Sequence, residues 1–237
     1  CGTDMFSPSV AEATVKVLTS WGCEVVIPRN MKCCGLPHIA NGKMATAQNL
    51  AIHNLQVFND LDLDYIVTDC GSCSSAISKN RLKHLLDKMG YDEQIEAFSS
   101  KVYDLNSFLI EILEIDDQGL KPLNLNVTYH DPCHLAKAQG IRKTPRDVLK
   151  LIPGVNLIEM KDSDRCCGGS GTFSLTHYDL SMKILERKMK TIVDTGADMI
   201  TTCCPSCTLQ LKHGSYLHYN NAPVKHPVEL LAEASKS

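Results

Sequence analysis

The sequence has no basic run and almost no excess of charge. Lys and Arg total 24 against 27 Asp and Glu, a formal net charge of −3. That balance excludes nucleic acid as the main partner, because a phosphate backbone is held by a clustered cationic face. No stretch approaches the roughly 18 apolar residues that a membrane-spanning helix needs, and the opening residues lack the basic and apolar regions of a signal peptide. The expectation is a cytoplasmic chain with no membrane span, whose association with a membrane, if any, runs peripherally through partners. No Gly-x-Gly-x-x-Gly element is present, so flavin or NAD must sit on another polypeptide. The chain opens on Cys1 rather than Met, with no strand before it, which predicts a segment of a longer or processed protein.

Cysteine, by contrast, is abundant: 12 in 237 residues. In a small secreted domain such a count reads as disulfides. With 43% hydrophobic residues, however, the chain builds an ordinary core and needs no staples. Its length accommodates one large domain or two of about 120 residues.

Hydrophobic periodicity places a helix over residues 7–21, a buried strand over 23–27 and a long helix over 43–61. A strand over 64–68 then delivers Cys70-Gly71-Ser72-Cys73. A short strand at 101–103, a helix at 106–113 and a polar linker at 116–123 close the first half. The second half repeats the plan. A strand at 125–129 delivers His130-Asp131-Pro132-Cys133, and a helix at 145–151 and a strand at 156–160 lead to Cys166-Cys167. A helix at 180–195 and a strand at 198–202 then precede Cys204-Pro205-Ser206-Cys207. Val102-Tyr103-Asp104-Leu105 and Val224-Lys225-His226-Pro227 are matching ends. The cysteines keep register: Cys1 and Cys133 lie 132 residues apart, Cys33 and Cys34 lie 133 from Cys166 and Cys167, and Cys70 and Cys73 lie 134 from Cys204 and Cys207. The fold class expected is α/β, two pseudo-symmetric repeats of a βα unit with mostly parallel sheets, divided as 1–120 and 121–237.

Each half gathers five cysteines from three βα corners, where open α/β sheets place their sites. Thiolates favour zinc or iron–sulfur clusters. Five exceeds the four ligands of tetrahedral zinc and of a cubane cluster alike. A fifth thiolate suits an opened cluster, and the glycines after each adjacent pair allow the backbone to turn tightly beside it.

The stretches Tyr129-His130-Asp131-Pro132-Cys133-His134, Arg165-Cys166-Cys167-Gly168-Gly169 and Thr195-Gly196-Ala197-Asp198 leading to Cys204-Pro205-Ser206-Cys207 carry a resemblance. Together with the first-half cysteines they resemble the cysteine-rich CCG domain of heterodisulfide reductase, and in wording lie nearest the iron–sulfur subunits of glycolate oxidase and lactate-oxidising systems. The resemblance covers essentially the whole chain. It implies two non-cubane [4Fe–4S] clusters, held by Cys1, Cys33, Cys34, Cys70 and Cys73 and by Cys133, Cys166, Cys167, Cys204 and Cys207, with zinc in one site as the rival. It implies an electron-transfer subunit of an oxidoreductase, fed by a flavoprotein that oxidises a 2-hydroxy acid and passing electrons towards a quinone or other carrier. Longer relatives carry a ferredoxin-like segment that nothing here matches, so a ferredoxin-like segment or subunit is expected as a further partner. A disulfide reductase acting at the clusters and a zinc-stabilised scaffold are the alternatives.

Outside the ten, Cys23 reads as a small hydrophobe. Cys203 aligns with Asp69 of the first half and reads as a spare, with competition with Cys204 for the ligand position as the alternative. Lys32 and Arg165, each directly before a cysteine pair, are either stabilising cations or solvated charges. His38, His130 and His134 read as hydrogen-bonding or packing residues beside the motif, and Trp21 as core.

Overall fold

The structure, a computed structural model, describes residues 5–235; Cys1 lies outside the described residues. In the first half, helix α1 (Pro8–Ser20) is followed by α2 (Leu36–Ala40), α3 (Met44–Asn59), strand β1 (Ile66–Thr68), α4 (Gly71–Ala76), α5 (Lys79–Leu85), α6 (Asp92–Ser99), β2 (Val102–Asp104) and a three-residue α7 (Leu105–Ser107), which runs on into a π-helix, Phe108–Ile112. The second half contains β3 (Leu125–Tyr129), α8 (Cys133–Ala136), α9 (Thr144–Leu151), β4 (Val155–Leu157), α10 (Phe173–Thr176), α11 (Tyr178–Val193), β5 (Met199–Thr201), α12 (Pro205–His218), β6 (Val224–Lys225) and α13 (Pro227–Ala234).

The chain is α/β, and every pairing between its strands is parallel. One sheet is the pair β1–β2, and the other has the order β4-β3-β5-β6. The repeat is visible in the register: Ile66 pairs with Val102 in the first sheet, and Ile200 with Val224 in the second. The ends of β2 and β6 also match, since Asp104 caps α7 and His226 caps α13 with its side chain.

Residues 23–27, expected as a strand, run as irregular chain. Val26 is 51% and Ile27 66% exposed. The physical reason is the missing neighbour. In the second half β4 pairs only with β3, and among the described residues the first half holds no strand in the place of β3. Apolar β-branched residues do not make a strand without a ladder to satisfy their backbone groups. The helix expected at 106–113 runs over 105–112 and is π-wound from Phe108, and the linker expected at 116–123 is stitched down: Leu120 bridges Ser235, and Lys121 N donates to Ala234 O at 2.8 Å.

The core lies in three clusters. One joins α1, the π-helix, β3, α9 and α13 through Val17, Leu109, Val127, Leu149 and Leu231. A second packs α11 against α12 through Leu185, Met189, Ile192 and Leu211. A third packs α3 against α5 and α6 through Ala51, Leu55, Leu82, Ile95 and Phe98. The long helices α3 and α11 bury equivalent positions. Ala47, Ala51 and Leu55 correspond to Ser181, Leu185 and Met189 at a constant offset of 134, and the buried polar residues Asn54 and Lys188 share that offset.

Candidate metal centre

The corners that carry cysteines are built from tight backbone. Gly35 and Gly168, which follow the adjacent pairs, have φ of 83° and 89°, the left-handed region that favours glycine. A Cβ on Gly168 would lie 2.6 Å from the carbonyl of Ser181, and one on Gly35 would meet Ala47, so each pair is pressed onto the equivalent position of its long helix. Cys70 and Cys204 sit in extended backbone at the starts of α4 and α12. Cys70 Sγ accepts from Cys73 N at 3.4 Å. The two halves join here, where Gly71 N donates to Cys203 O at 2.9 Å.

Nine of the ten predicted ligands fall among the described residues, and no described cysteine forms a disulfide. Eight of them form one unbroken line of sulfur contacts. Cys33 and Cys73 each meet Cys34, and Cys73 also meets Cys70. Cys70 meets Cys204 across the two halves, and Cys207 meets Cys204 and Cys167. Cys166 completes the line on Cys167. Cys133 lies beside Cys204 and Cys167 without joining it. The two expected groups are therefore gathered, and they adjoin at Cys70 and Cys204.

The sulfurs in this line shift one another's acidity. Hydrogen bonds from Cys33 and then Cys73 bring the Cys34 pKa down to about 3, against the opposing effect of burial. Cys167 and Cys204 are likewise driven well below the usual thiol range, chiefly by donation from Cys166 and from Cys207. Their partners Cys33, Cys166 and Cys207 are pushed up by the same bonds. Eight cysteine sulfurs gathered in one line are a donor set suited to a soft metal.

Around the sulfurs the polar contacts are uneven. Ser72, on α4 of the first half, lies 3.2 Å from Cys204 Sγ and 3.0 Å from His134 Nδ1; its second-half counterpart Ser206 hydrogen-bonds Gly169 O instead. Gly168 N donates to Cys166 Sγ at 3.3 Å. His130 is buried with both ring nitrogens lacking a hydrogen bond, and it offers a nitrogen within 4.8 Å of the sulfurs of Cys167 and Cys207. Asp131 is clamped by Arg146, whose guanidinium donates to Oδ1 at 2.8 Å and Oδ2 at 2.7 Å. Burial acts to raise the Asp131 pKa, but bonds from Arg146 and Ser163 outweigh it and hold the carboxyl below its ordinary range. Arg146 also reaches Ser163 Oγ at 3.3 Å, so one residue fixes the Cys133 corner and the loop before Cys166.

Several residues singled out by sequence stand elsewhere. Cys203 faces the core, where Tyr129 Oη and Asn106 Nδ2 each donate to its sulfur at 3.4 Å; it does not join the sulfur line. Cys23 packs half-buried against the same core. Lys32 is exposed, and Arg165 pairs with Asp162 at 3.3 Å. His38 is half-buried on α2. The buried cation is one that sequence reading passed over. Lys188 is 1% exposed and donates to Asp162 O at 2.7 Å and Ser163 O at 3.2 Å. The signal was present in the register that aligns α11 with α3.

The profile of the cysteine-rich CCG domain matches residues 1–78 and 127–212, the two stretches that carry the sulfur line. The chain belongs to the CCG cysteine-rich domain family. Among relatives of this CCG chain, lactate utilization protein A of an Exiguobacterium strain is 32% identical over 239 residues, covering 100% of this chain and 96% of the relative. The probable glycolate oxidase iron–sulfur subunit of Bacillus subtilis is 36% identical, covering 98% of this chain and 52% of the relative. One subunit of the fumarate reductase (CoM/CoB) of Methanothermobacter marburgensis is 32% identical, covering 90% and 40%. The CCG chain thus spans nearly all of the first relative and about half or less of the other two.

The residues present fit an iron–sulfur group. The donors are sulfur, and polar side chains near them are left unsatisfied. Besides His130, the hydroxyls of Thr68 and Thr202 are buried without partners, each two residues before a motif cysteine at the start of a helix. No helix among the described residues is long and apolar enough to cross a membrane.

Proposed function

We propose that this chain is an iron–sulfur electron-transfer subunit of an oxidoreductase complex, relaying electrons from a flavoprotein that oxidises a 2-hydroxy acid of the glycolate or lactate type towards a quinone or other carrier. The observation that carries the reading is the continuous line of sulfurs from Cys33 to Cys166, which joins the two halves through Cys70 and Cys204. The names of the lactate utilization and glycolate oxidase relatives support the substrate class. In this reading the chain divides at 120/121 into two repeats. Cys1, Cys33, Cys34, Cys70 and Cys73 hold one cluster, and Cys133, Cys166, Cys167, Cys204 and Cys207 the other. The clusters, two non-cubane [4Fe–4S] groups, supply one-electron acceptance and release.

The chain's own contribution is geometric and electrostatic. The glycine corners bring backbone close to the sulfurs, and the cysteines release their thiol protons as they take up metal. The Asp131–Arg146 clamp holds the Cys133 corner in place. A ferredoxin-like segment or subunit supplies the further electron route, and the compartment is the cytoplasm.

A second reading, a disulfide reductase acting at the clusters, is favoured by the exposure of Cys133 and Cys166, which opens the second group to a substrate. Anaerobic purification followed by iron and sulfide analysis tests the redox readings together; zinc at each site with no sulfide refutes both. Reduced viologen and a disulfide substrate then separate them. The relay reading predicts no turnover without a flavoprotein, and turnover by the chain alone overturns it.

A further inference from the structure

We propose that Lys188 sets the second-half centre at the higher reduction potential, so that two repeats alike in their thiols form a graded pair with the electron favoured on the second half. This rests on the reading that both halves hold iron–sulfur clusters.

The repeat supplies its own control. At one buried position of the long helix the first half carries Asn54 and the second Lys188, in the register that aligns Ala51 with Leu185 and Leu55 with Met189. Both side chains tether the loop that leads into a cysteine pair. Asn54 does so with a neutral amide: Oδ1 accepts from Lys32 N at 2.9 Å, and Nδ2 donates to Lys32 O at 3.1 Å and Cys33 O at 3.2 Å. Lys188 does so with an ammonium, on the carbonyls of Asp162 and Ser163. The structural task is shared, and the charge is not.

That charge is uncompensated by carboxylates. The acidic groups that face Lys188 are Asp131, Asp162 and Asp164, and each is matched by an arginine: Asp131 by Arg146, Asp162 by Arg165 and Asp164 by Arg142. Among the described residues Lys188 has no ion-pair partner of its own. Burial acts to lower its pKa to about 8, against the attraction of the Cys167 thiolate, so at pH 7 the side chain remains a cation. Water does not screen a charge so buried.

A cation buried on the loop that leads into Cys166 and Cys167 favours whichever state of the neighbouring group is more negative, which is the reduced one. The polar contact of Ser72 with Cys204 acts in the same sense, on the same half. One electron leaving the first-half centre and arriving at the second therefore moves downhill, across the contact between Cys70 and Cys204.

The test is a mediated potentiometric titration of the anaerobically loaded chain, read by electron paramagnetic resonance, with iron and sulfide counted in the same samples. The unaltered protein shows two midpoints. In Lys188→Gln the higher one falls by about tenfold in the reduction constant, which is about 59 mV for a one-electron couple, while the lower one stays. Lys188→Arg holds both in place, and Asn54→Lys raises the lower. Absence of sulfide overturns the iron–sulfur reading and this inference with it. Full clusters with coincident midpoints, or a Lys188→Gln variant whose higher midpoint is unmoved, overturn the inference alone. If Lys188→Gln does not load its second half, Asn54→Lys decides: a raised first-half midpoint supports the assignment and an unmoved one overturns it.

Discussion

Replacing Arg146 with Met removes the partner of a carboxylate that stays buried. The guanidinium sits 4.9 Å over the Tyr129 ring and makes a bidentate bond to Asp131, whose side chain is 1% exposed. Its other carboxylate, Glu159, is half exposed, and an ion pair of that kind contributes about 0–1 kcal/mol. The Asp131 arm decides the magnitude, because stranding a buried charge costs about 3–5 kcal/mol. For a chain of this size 1 kcal/mol shifts Tm by about 2 °C at the lower end of the usual range, so Arg146→Met lowers Tm by about 6–10 °C. The pH dependence has a definite sign. Asp131 has a depressed pKa in the folded chain, so its contribution is fully present above the ordinary carboxylate value of about 4 and is lost as pH falls through the folded pKa. In Arg146→Met burial acts alone and raises the Asp131 pKa, so protonation relieves the variant as pH falls, and the deficit is largest at neutral pH and shrinks towards pH 4. Adding Asp131→Asn, which removes the stranded charge, restores most of the loss. Thermal unfolding followed by circular dichroism at pH 7 and pH 4 reads all three; an Arg146→Met variant within 2 °C of the parent at pH 7 would refute the clamp.

Gly168→Ala forces a Cβ into the Ser181 carbonyl at a positive φ, and the expected outcome is loss of about half the iron with the first-half centre retained, measured by metal analysis. Cys203→Ala keeps full iron and sulfide because its sulfur faces Tyr129 and Asn106, whereas Cys204→Ser loses metal from the second half; equal losses from both would show that Cys203 is a ligand. His226 is buried, and desolvation lowers its pKa to about 3. The unfolded chain therefore binds the extra proton between pH 6.5 and about 3, and stability falls across that window as pH drops. His226→Asn, which keeps an acceptor for the α13 cap, flattens that part of the profile in urea unfolding.

The strand–helix alternation and the cysteine register were legible because they are local or repeated: a strand delivering Cys70 or Cys204 announces itself in a few residues. Residues 23–27 misled because β propensity describes a segment and says nothing of its neighbours. Val26 and Ile27 suit a buried strand, but no ladder stands beside them. The cysteines that the fold gathers were legible through their spacing, and the residues around them were not. Lys188 is one lysine among several on an amphipathic helix, and only superposition on Asn54 marks its position as buried. Arg146 and Ser72 act across distances of sequence that no short motif spans. Lys32 and Arg165 drew attention by standing next to cysteine pairs, yet adjacency along the chain points one residue inward and the next out to solvent.

The most direct measurement is a count of iron and acid-labile sulfide per chain in the anaerobically purified protein and in Cys34→Ser and Cys167→Ser. Two [4Fe–4S] groups predict about eight of each in the parent, and about half that number in each variant, with opposite halves retained. Zinc near one per site with no sulfide, or a parent that loses all of its iron in either variant, would contradict two centres held by two repeats.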